Sequence, residues 1–182
     1  MFARLYLCLT LFCALPAMAQ LPKLDVGVER VDYEGADMFN VRAQGQVAAS
    51  PESVWKILTH YEAMTEFVPD LKSTRVLSRL GNRVVVEQNG VARFLFFKRA
   101  IHLVVEVNEE PMSLIDISIL RGDMKIYNCR WELIPVPETG GTRIVYSGKL
   151  VPKFYVPGVL GANLIRSDIE RMMKAVLAHL DR

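Results

Sequence analysis

Apolar and polar residues alternate with a period of two through most of the chain after residue 70. This alternation is typical of β-strands that bury one face, and the apolar positions are rich in valine, isoleucine and aromatic residues. The pattern predicts strands over residues 72–79, 83–89, 91–107, 112–120, 124–135 and 142–151, after an earlier pair over 26–33 and 38–48. Residues that favour turns separate the strands, at 34–37, Gly81-Asn82, Asn89-Gly90, Glu109-Glu110-Pro111, Gly122-Asp123 and Thr139-Gly140-Gly141. Seven or eight antiparallel strands are therefore expected.

Helical spacing replaces the alternation in two regions. Ser50-Pro51-Glu52 supplies an N-cap, a proline at the first helical position and an acid in the first turn, which predicts a helix over 51–59. A second short helix is expected over 61–67. The chain closes with a long helix over 157–180, whose apolar residues form one wide stripe: Leu160, Leu164, Ile165, Ile169, Met172, Met173, Val176 and Leu180. The fold class is therefore α+β.

The first residues have the character of a secretory signal peptide. Arg4 supplies a positive charge, an apolar run too short to span a bilayer follows, and Ala17-Met18-Ala19 supplies the small residues of a cleavage site. We expect a signal peptide over 1–19, cleaved after Ala19, and one domain over 20–182. An uncleaved N-terminal anchor is the alternative. Because the signal is of bacterial type, the expected location is the periplasm.

Charge and cysteine content narrow the classes of function. The formal net charge of +2 gives no electrostatic case for binding nucleic acid. Removing the signal peptide leaves Cys129 as the one cysteine, so no internal disulfide is expected. Outside the signal peptide no apolar run is long enough for a stable membrane span, while transient contact with a membrane stays open.

Three segments carry a family resemblance: VWKILTHYEAMTEFVPDL (54–71), CRWELIPV (129–136) and VPKFYVPGVL (151–160). The matching residues of the first are Val54, Trp55, Leu58, Thr59, Tyr61, Glu62, Phe67, Pro69 and Leu71. The segments resemble the START-like polyketide cyclase/dehydrase and coenzyme Q-binding family of the SRPBCC superfamily, over about residues 40–181. One departure is His60, at a position near a helix end where the family usually has aspartate.

The resemblance implies a helix-grip fold, in which a curved antiparallel sheet surrounds the long C-terminal helix and leaves an apolar cavity between them. Members of the family use this cavity for lipids, sterols, quinones or polyketides, and many have no known catalysis. We therefore expect an exported protein that binds or carries a hydrophobic small molecule of this kind, with no cofactor and no metal. The alternatives are a cyclase/dehydrase-type enzyme that uses the same cavity, and a protein-interaction module whose cavity is filled by its own side chains.

The residues expected to contact the ligand come from several regions. Residues 53–71 are expected to close one end of the cavity, and FLFF at 94–97 is apolar on both faces and needs a cover. The other candidates lie on the inner faces of the strands predicted over 112–120 and 124–135 and on the apolar stripe of the last helix. The candidates are Trp55, Tyr61, Phe67, Phe94, Phe96, Ile115, Ile117, Tyr127, Trp131, Leu164 and Ile165.

Motifs for catalysis are missing from the sequence. The three histidines have no metal-ligand spacing, and there is no serine-nucleophile elbow, P-loop or dinucleotide-binding glycine pattern. The polar residues that could assist a cyclase are Arg99, Asp116 and Tyr127, which share strand parity with apolar residues. The other interpretation of Arg99 is that it turns outward at a bulge or pairs with an acid at the sheet surface.

Overall fold

The computed structural model describes residues 24–93, 98–156 and 158–182. Eight strands form one antiparallel sheet: β1 Asp25–Tyr33, β2 Ala36–Val47, β3 Leu71–Leu80, β4 Arg83–Arg93, β5 Lys98–Glu110, β6 Leu114–Gly122, β7 Met124–Val136 and β8 Gly141–Pro152. Their order across the sheet is β1-β2-β8-β7-β6-β5-β4-β3. Helix α1 (Pro51–Leu58) and a 3₁₀ helix (Tyr61–Glu66) connect β2 to β3, and α2 (Gly158–Leu180) follows β8. This is the α+β helix-grip fold that the sequence predicts.

The predicted start of α1 is confirmed. The Ser50 hydroxyl accepts a hydrogen bond from the Ser53 N–H at 3.4 Å, and Pro51 occupies the first helical position. Val54 and Leu58, four residues apart, take the buried side of the helix. The segment therefore packs one apolar side onto the core and continues directly into the 3₁₀ helix.

The turn predicted at Asn89-Gly90 is wrong. Strand β4 continues through both residues to Arg93 and pairs with β5 along its whole length. Gly90 serves a close backbone approach instead: a Cβ here would lie 3.0 Å from the Asp70 carbonyl oxygen, to which the Val91 N–H donates at 2.9 Å. A glycine inside a strand commonly marks such an approach. The chain between β4 and β5, residues 94–97, lies outside the described residues.

Helix α2 packs closely against one half of the sheet, chiefly β1 and β2. Two glycines permit this close approach. At Gly45 a Cβ would lie 2.5 Å from Leu177 Cδ1. At Gly161 a Cβ would lie 2.7 Å from Val156 Cγ1 and 3.1 Å from Phe39 Cζ. Because the helix lies so near β1 and β2, the inner face of the other strands is left partly uncovered.

Among the described residues, no helix combines the length and the apolar character needed to cross a bilayer. The predicted signal peptide, 1–19, falls outside the described ranges.

Candidate ligand-binding site

An apolar cavity of about 290 Å³ lies beneath the uncovered part of the sheet. Its walls are the inner faces of β4 to β8, the 3₁₀ helix with the turn that follows it, and residues 168–176 of α2. The strands contribute alternate residues, as on β5, where the wall is formed by Ile101, Leu103, Val105 and Val107. A mostly apolar concavity of this order is typical of sites that bind small molecules.

The structure brings several of the predicted ligand-contacting residues together in this cavity. They are Tyr61, Phe67, Ile117, Tyr127 and Trp131. Two others, Leu164 and Ile165, line a second cavity of about 140 Å³. The two cavities adjoin each other, since both are lined by Ala92, Met124, Asp168 and Ile169.

Four predicted residues are placed elsewhere or not described. Trp55 lies outside the walls of both cavities, because Val54 and Leu58 take the inward side of α1 and the indole packs against the core from beside them. Ile115 is 2 % exposed and is buried in the core, paired across the strands with Trp131. The remaining two, Phe94 and Phe96, lie outside the described residues.

The sequence prediction misses Tyr146 on β8. This residue lines the cavity, and its ring is tilted against that of Trp131 with centroids 4.8 Å apart. Residues 144–146 are all buried, so alternation along β8 does not reveal which face the tyrosine takes. The register with β7, which pairs Tyr146 with Trp131, places both rings on the cavity side.

The half-buried Tyr127 and the buried Cys129 and Tyr146 form a group that we call the phenol–thiol cluster. The Tyr146 hydroxyl donates to Cys129 Sγ at 3.1 Å, and Tyr127 stands two residues before Cys129 on β7, in the cavity wall. Burial raises the pKa of the Cys129 thiol to about 11 and raises the pKa of Tyr146 well above its usual value. The charge on an ionised Cys129, and then burial, raise the pKa of Tyr127. All three groups are therefore uncharged at neutral pH.

Charged side chains meet at the other edge of the cavity, where the ends of β3 and β4 face α2. Arg93 Nε donates to both carboxylate oxygens of Asp70 at 2.8 Å. Arg171 donates to Asp70 at 3.3 Å and to Asp168 at 2.5 Å. Hydrogen bonds from Arg93 lower the pKa of Asp70, whereas burial raises the pKa of Asp168. These four residues, which we call the ionic cluster, tie α2 to the edge of the sheet.

Tyr61 is held in the cavity wall by a buried acid. Its hydroxyl donates to Glu109 Oε1 at 2.7 Å, and Arg79 donates to Glu109 Oε2 at 2.9 Å. The Glu109 side chain is 8 % exposed, and a carboxylate at that depth is costly unless it is paired and hydrogen-bonded. These bonds anchor the 3₁₀ helix to the end of β5.

The sequence profile of the family described as polyketide cyclase / dehydrase and lipid transport matches residues 47–177. The chain belongs to this family. The matched range contains the phenol–thiol cluster, the ionic cluster and the 3₁₀ helix, so the family region is also the region that builds the cavity. No curated protein matches the sequence significantly.

Solved structures show that the chain has the fold of the START superfamily. The Zhui aromatase/cyclase from Streptomyces sp. R1128 is 16 % identical, with a TM-score of 0.67 over 80 % of this chain and 94 % of that one. A START superfamily protein from Mycobacterium smegmatis is 19 % identical, with a TM-score of 0.66 over 78 % and 96 %. A STAR-related lipid transfer protein (fragment 25-204) from Xanthomonas axonopodis is 17 % identical, with a TM-score of 0.62 over 86 % and 99 %. At these identities the likeness concerns the fold alone.

Two of the polar residues considered for a cyclase of this family lie outside the cavity. Asp116 accepts hydrogen bonds from Arg130 at 2.7 and 2.8 Å on the outer face of β6, because Ile117 occupies the inner face. Arg99 is exposed at the start of β5, with its guanidinium 4.5 Å from the centroid of the Phe154 ring. Neither candidate is therefore placed to assist chemistry in the cavity, and for Arg99 the structure agrees with the other interpretation, in which the side chain turns outward. The third candidate belongs to the phenol–thiol cluster.

The histidines have roles other than metal binding in this family member. His102 Nε2 lies 3.1 Å from Glu87 Oε1, and the His179 ring stacks on Phe67 with centroids 4.2 Å apart. His60 is exposed before the 3₁₀ helix, and its side chain makes no capping hydrogen bond. In the described part of the chain, no three histidine, cysteine, aspartate or glutamate side chains are grouped so that they could hold a metal ion.

Proposed function

We propose that this protein is an exported binding or carrier protein for a hydrophobic small molecule, such as a lipid, a quinone or a polyketide-like compound. The observation that carries the proposal is the cavity of about 290 Å³ with aliphatic and aromatic walls, in a fold that suggests hydrophobic ligand binding or cyclase function. Binding would be sequestration, because each square ångström of apolar ligand surface removed from water contributes roughly 25 cal/mol. The export step is supported by the signal-like sequence over 1–19.

The second cavity adjoins the first, which supports the proposal of a ligand too long for the first cavity alone. Met124 and Ile169 stand in the walls of both spaces. Methionine is unbranched and adapts its shape readily, so a rotation of Met124 would join the two volumes. A chain or ring system that starts beside the phenol–thiol cluster could then extend past Ile169 towards Leu164 and Ile165.

A cyclase or dehydrase that uses the same cavity is the second candidate, and the position of Tyr127 favours it. The raised pKa of Tyr127 keeps its phenol protonated at neutral pH, so the hydroxyl can donate a hydrogen bond to a substrate oxygen but is not a base. A base would have to come from Asp70 or Asp168, and both carboxylates accept hydrogen bonds from arginines. The described part of the wall thus offers a donor but no unpaired carboxylate, which favours binding over turnover.

Native mass spectrometry of protein released from the periplasm by osmotic shock tests the proposal. We expect an intact mass that begins at Gln20, plus a noncovalent component that organic solvent extracts as an apolar compound. Adding that compound back to stripped protein should raise the melting temperature. Protein that retains residues 1–19 would contradict export. An empty protein whose melting temperature no lipid or quinone changes would contradict binding, and conversion of a linear polyketide into a cyclised product would favour the enzyme.

A further inference from the structure

The phenol–thiol cluster has a geometry that an ordinary packed core does not need. In the register of β7 with β8, the central pair is Cys129 with Gly148, flanked by Trp131 with Tyr146 on one side and Tyr127 with Leu150 on the other. Gly148 leaves room for the thiol, since a Cβ there would lie 2.9 Å from Cys129 Sγ. The two tyrosines therefore stand on opposite sides of the smallest pair, and both line the cavity.

The hydrogen bonds within the cluster use a poor acceptor. Tyr146 donates its one hydroxyl hydrogen to the sulfur of Cys129, and a thiol sulfur is a weak hydrogen-bond acceptor compared with an oxygen. Both tyrosines border the cavity, whereas Cys129 lies behind them. An oxygen acceptor on a molecule in the cavity would therefore replace the sulfur with a gain in hydrogen-bond strength, and the hydroxyl would supply the partner that this newly buried oxygen needs.

The surroundings of the phenol–thiol cluster disfavour a charged group on the ligand. Among the described residues of the cavity wall the charged ones are Asp70, Asp168 and Arg171, and all three belong to the ionic cluster at the edge formed by β3 and β4. No cation in the described part of the wall stands near the two phenols to balance an anion. A carboxylate or phosphate placed there would lose far more hydration than a neutral oxygen, and no cation would pair with it.

We infer that Tyr127, Cys129 and Tyr146 form a subsite for one uncharged carbonyl oxygen of the ligand, the group that ketones and quinones carry. The inference rests on the proposed function, because it concerns how a ligand in that cavity is oriented. The raised pKa values of both phenols keep their protons in place as donors across the physiological pH range, and Cys129 stays a neutral thiol behind them. The ligand thus lies with its carbonyl end against β7 and β8 and its apolar body along α2.

Two probes of nearly the same shape test the subsite: 2-acetylnaphthalene, which has the carbonyl, and 2-isopropylnaphthalene, which lacks it. Affinities are measured by the quenching of naphthalene fluorescence for the wild type, Tyr146→Phe and the double variant Tyr127→Phe/Tyr146→Phe. Loss of one neutral hydrogen bond should weaken ketone binding by about 3- to 10-fold and leave hydrocarbon binding within about 2-fold. Tyr33→Phe, which removes a hydroxyl on β1 away from the cavity, should change neither affinity.

The outcomes separate the subsite from the proposed function. Equal losses for both probes, or no loss for the ketone, would overturn the subsite while hydrocarbon binding still supported an apolar site. If neither probe bound the wild type, the proposed function would fail as well. The carbonyl stretching band of 2-acetylnaphthalene bound to the wild type gives a test without any variant. We expect it at a lower wavenumber than in hexane, and an unshifted band would overturn the inference.

Discussion

Replacing Ile117 with tryptophan is expected to lower the affinity for an apolar probe by roughly 100-fold. Ile117 points from β6 into the cavity, and an indole in its place would occupy the space that the ligand needs. Displacing about four methylene groups of ligand from an apolar site costs roughly 3 kcal/mol, which corresponds to a loss of that size. Titration of 2-isopropylnaphthalene against wild type and variant, followed by fluorescence, measures the difference.

Leu120→Trp is the matched control for this substitution. Leu120 lies on the same strand but is 51 % exposed, so its replacement adds the same indole to the surface and leaves the cavity unchanged. The control should bind the probe like the wild type. If Ile117→Trp also bound it with unchanged affinity while remaining folded, the probe would be bound somewhere other than the cavity under α2.

Phe39→Ala is expected to reduce the free energy of unfolding by about 3–5 kcal/mol, because it removes a large ring from a close-packed contact. Phe39 is 0 % exposed on β2, and its ring lies under Gly161 near the start of α2. A loss of this size should lower the melting temperature by roughly 10 °C in a chain of this length. Urea unfolding followed by circular dichroism measures the loss, with the slope of free energy against urea unchanged.

Leu80→Ala removes an aliphatic side chain that is 82 % exposed at the end of β3, so its effect should stay within about 0.5 kcal/mol. The difference between the two variants measures how much stability comes from seating α2 on β2. A loss below about 1 kcal/mol for Phe39→Ala would show that this contact is not tightly packed, against the predicted value of at least 3 kcal/mol.

Periodicity in the sequence is enough to predict the strands and helices but not the approach of distant segments. Gly90 looks like a turn residue beside Asn89, yet the strand continues because the glycine admits the Asp70 carbonyl. The alternation pattern likewise does not reveal that Gly45 and Gly161 permit the close approach of α2 to its half of the sheet. Close contacts between segments far apart in the chain leave no period for sequence analysis to detect.

The sequence predicts cavity-lining residues correctly where apolar and polar residues alternate regularly along a strand. It fails where both faces of a strand are buried. Ile117 and Trp131 sit on strands with a clear inner face, whereas Tyr146 follows a run that is buried on both faces. Trp55 was predicted to contact the ligand because it is aromatic, but it does not line the cavity. The four-residue spacing of Val54 and Leu58 already indicated that these two residues, and not Trp55, take the inward side of α1.

The ionic cluster could not be predicted because its members are far apart in the sequence. Asp70 and Arg171 are 101 residues apart and meet only when α2 is docked. In its local sequence, each of these four residues resembles an ordinary solvated charge. Their pairing depends on the same seating of α2 that creates the cavity.

A crystal structure of the protein grown with 2-isopropylnaphthalene tests most directly whether the space between α2 and strands β4 to β8 is the binding site. The predicted result is electron density for the naphthalene rings beside Ile117 and Trp131, with α2 still seated on β1 and β2. Side chains filling that space, with the probe absent or bound at another surface, would contradict the proposed function.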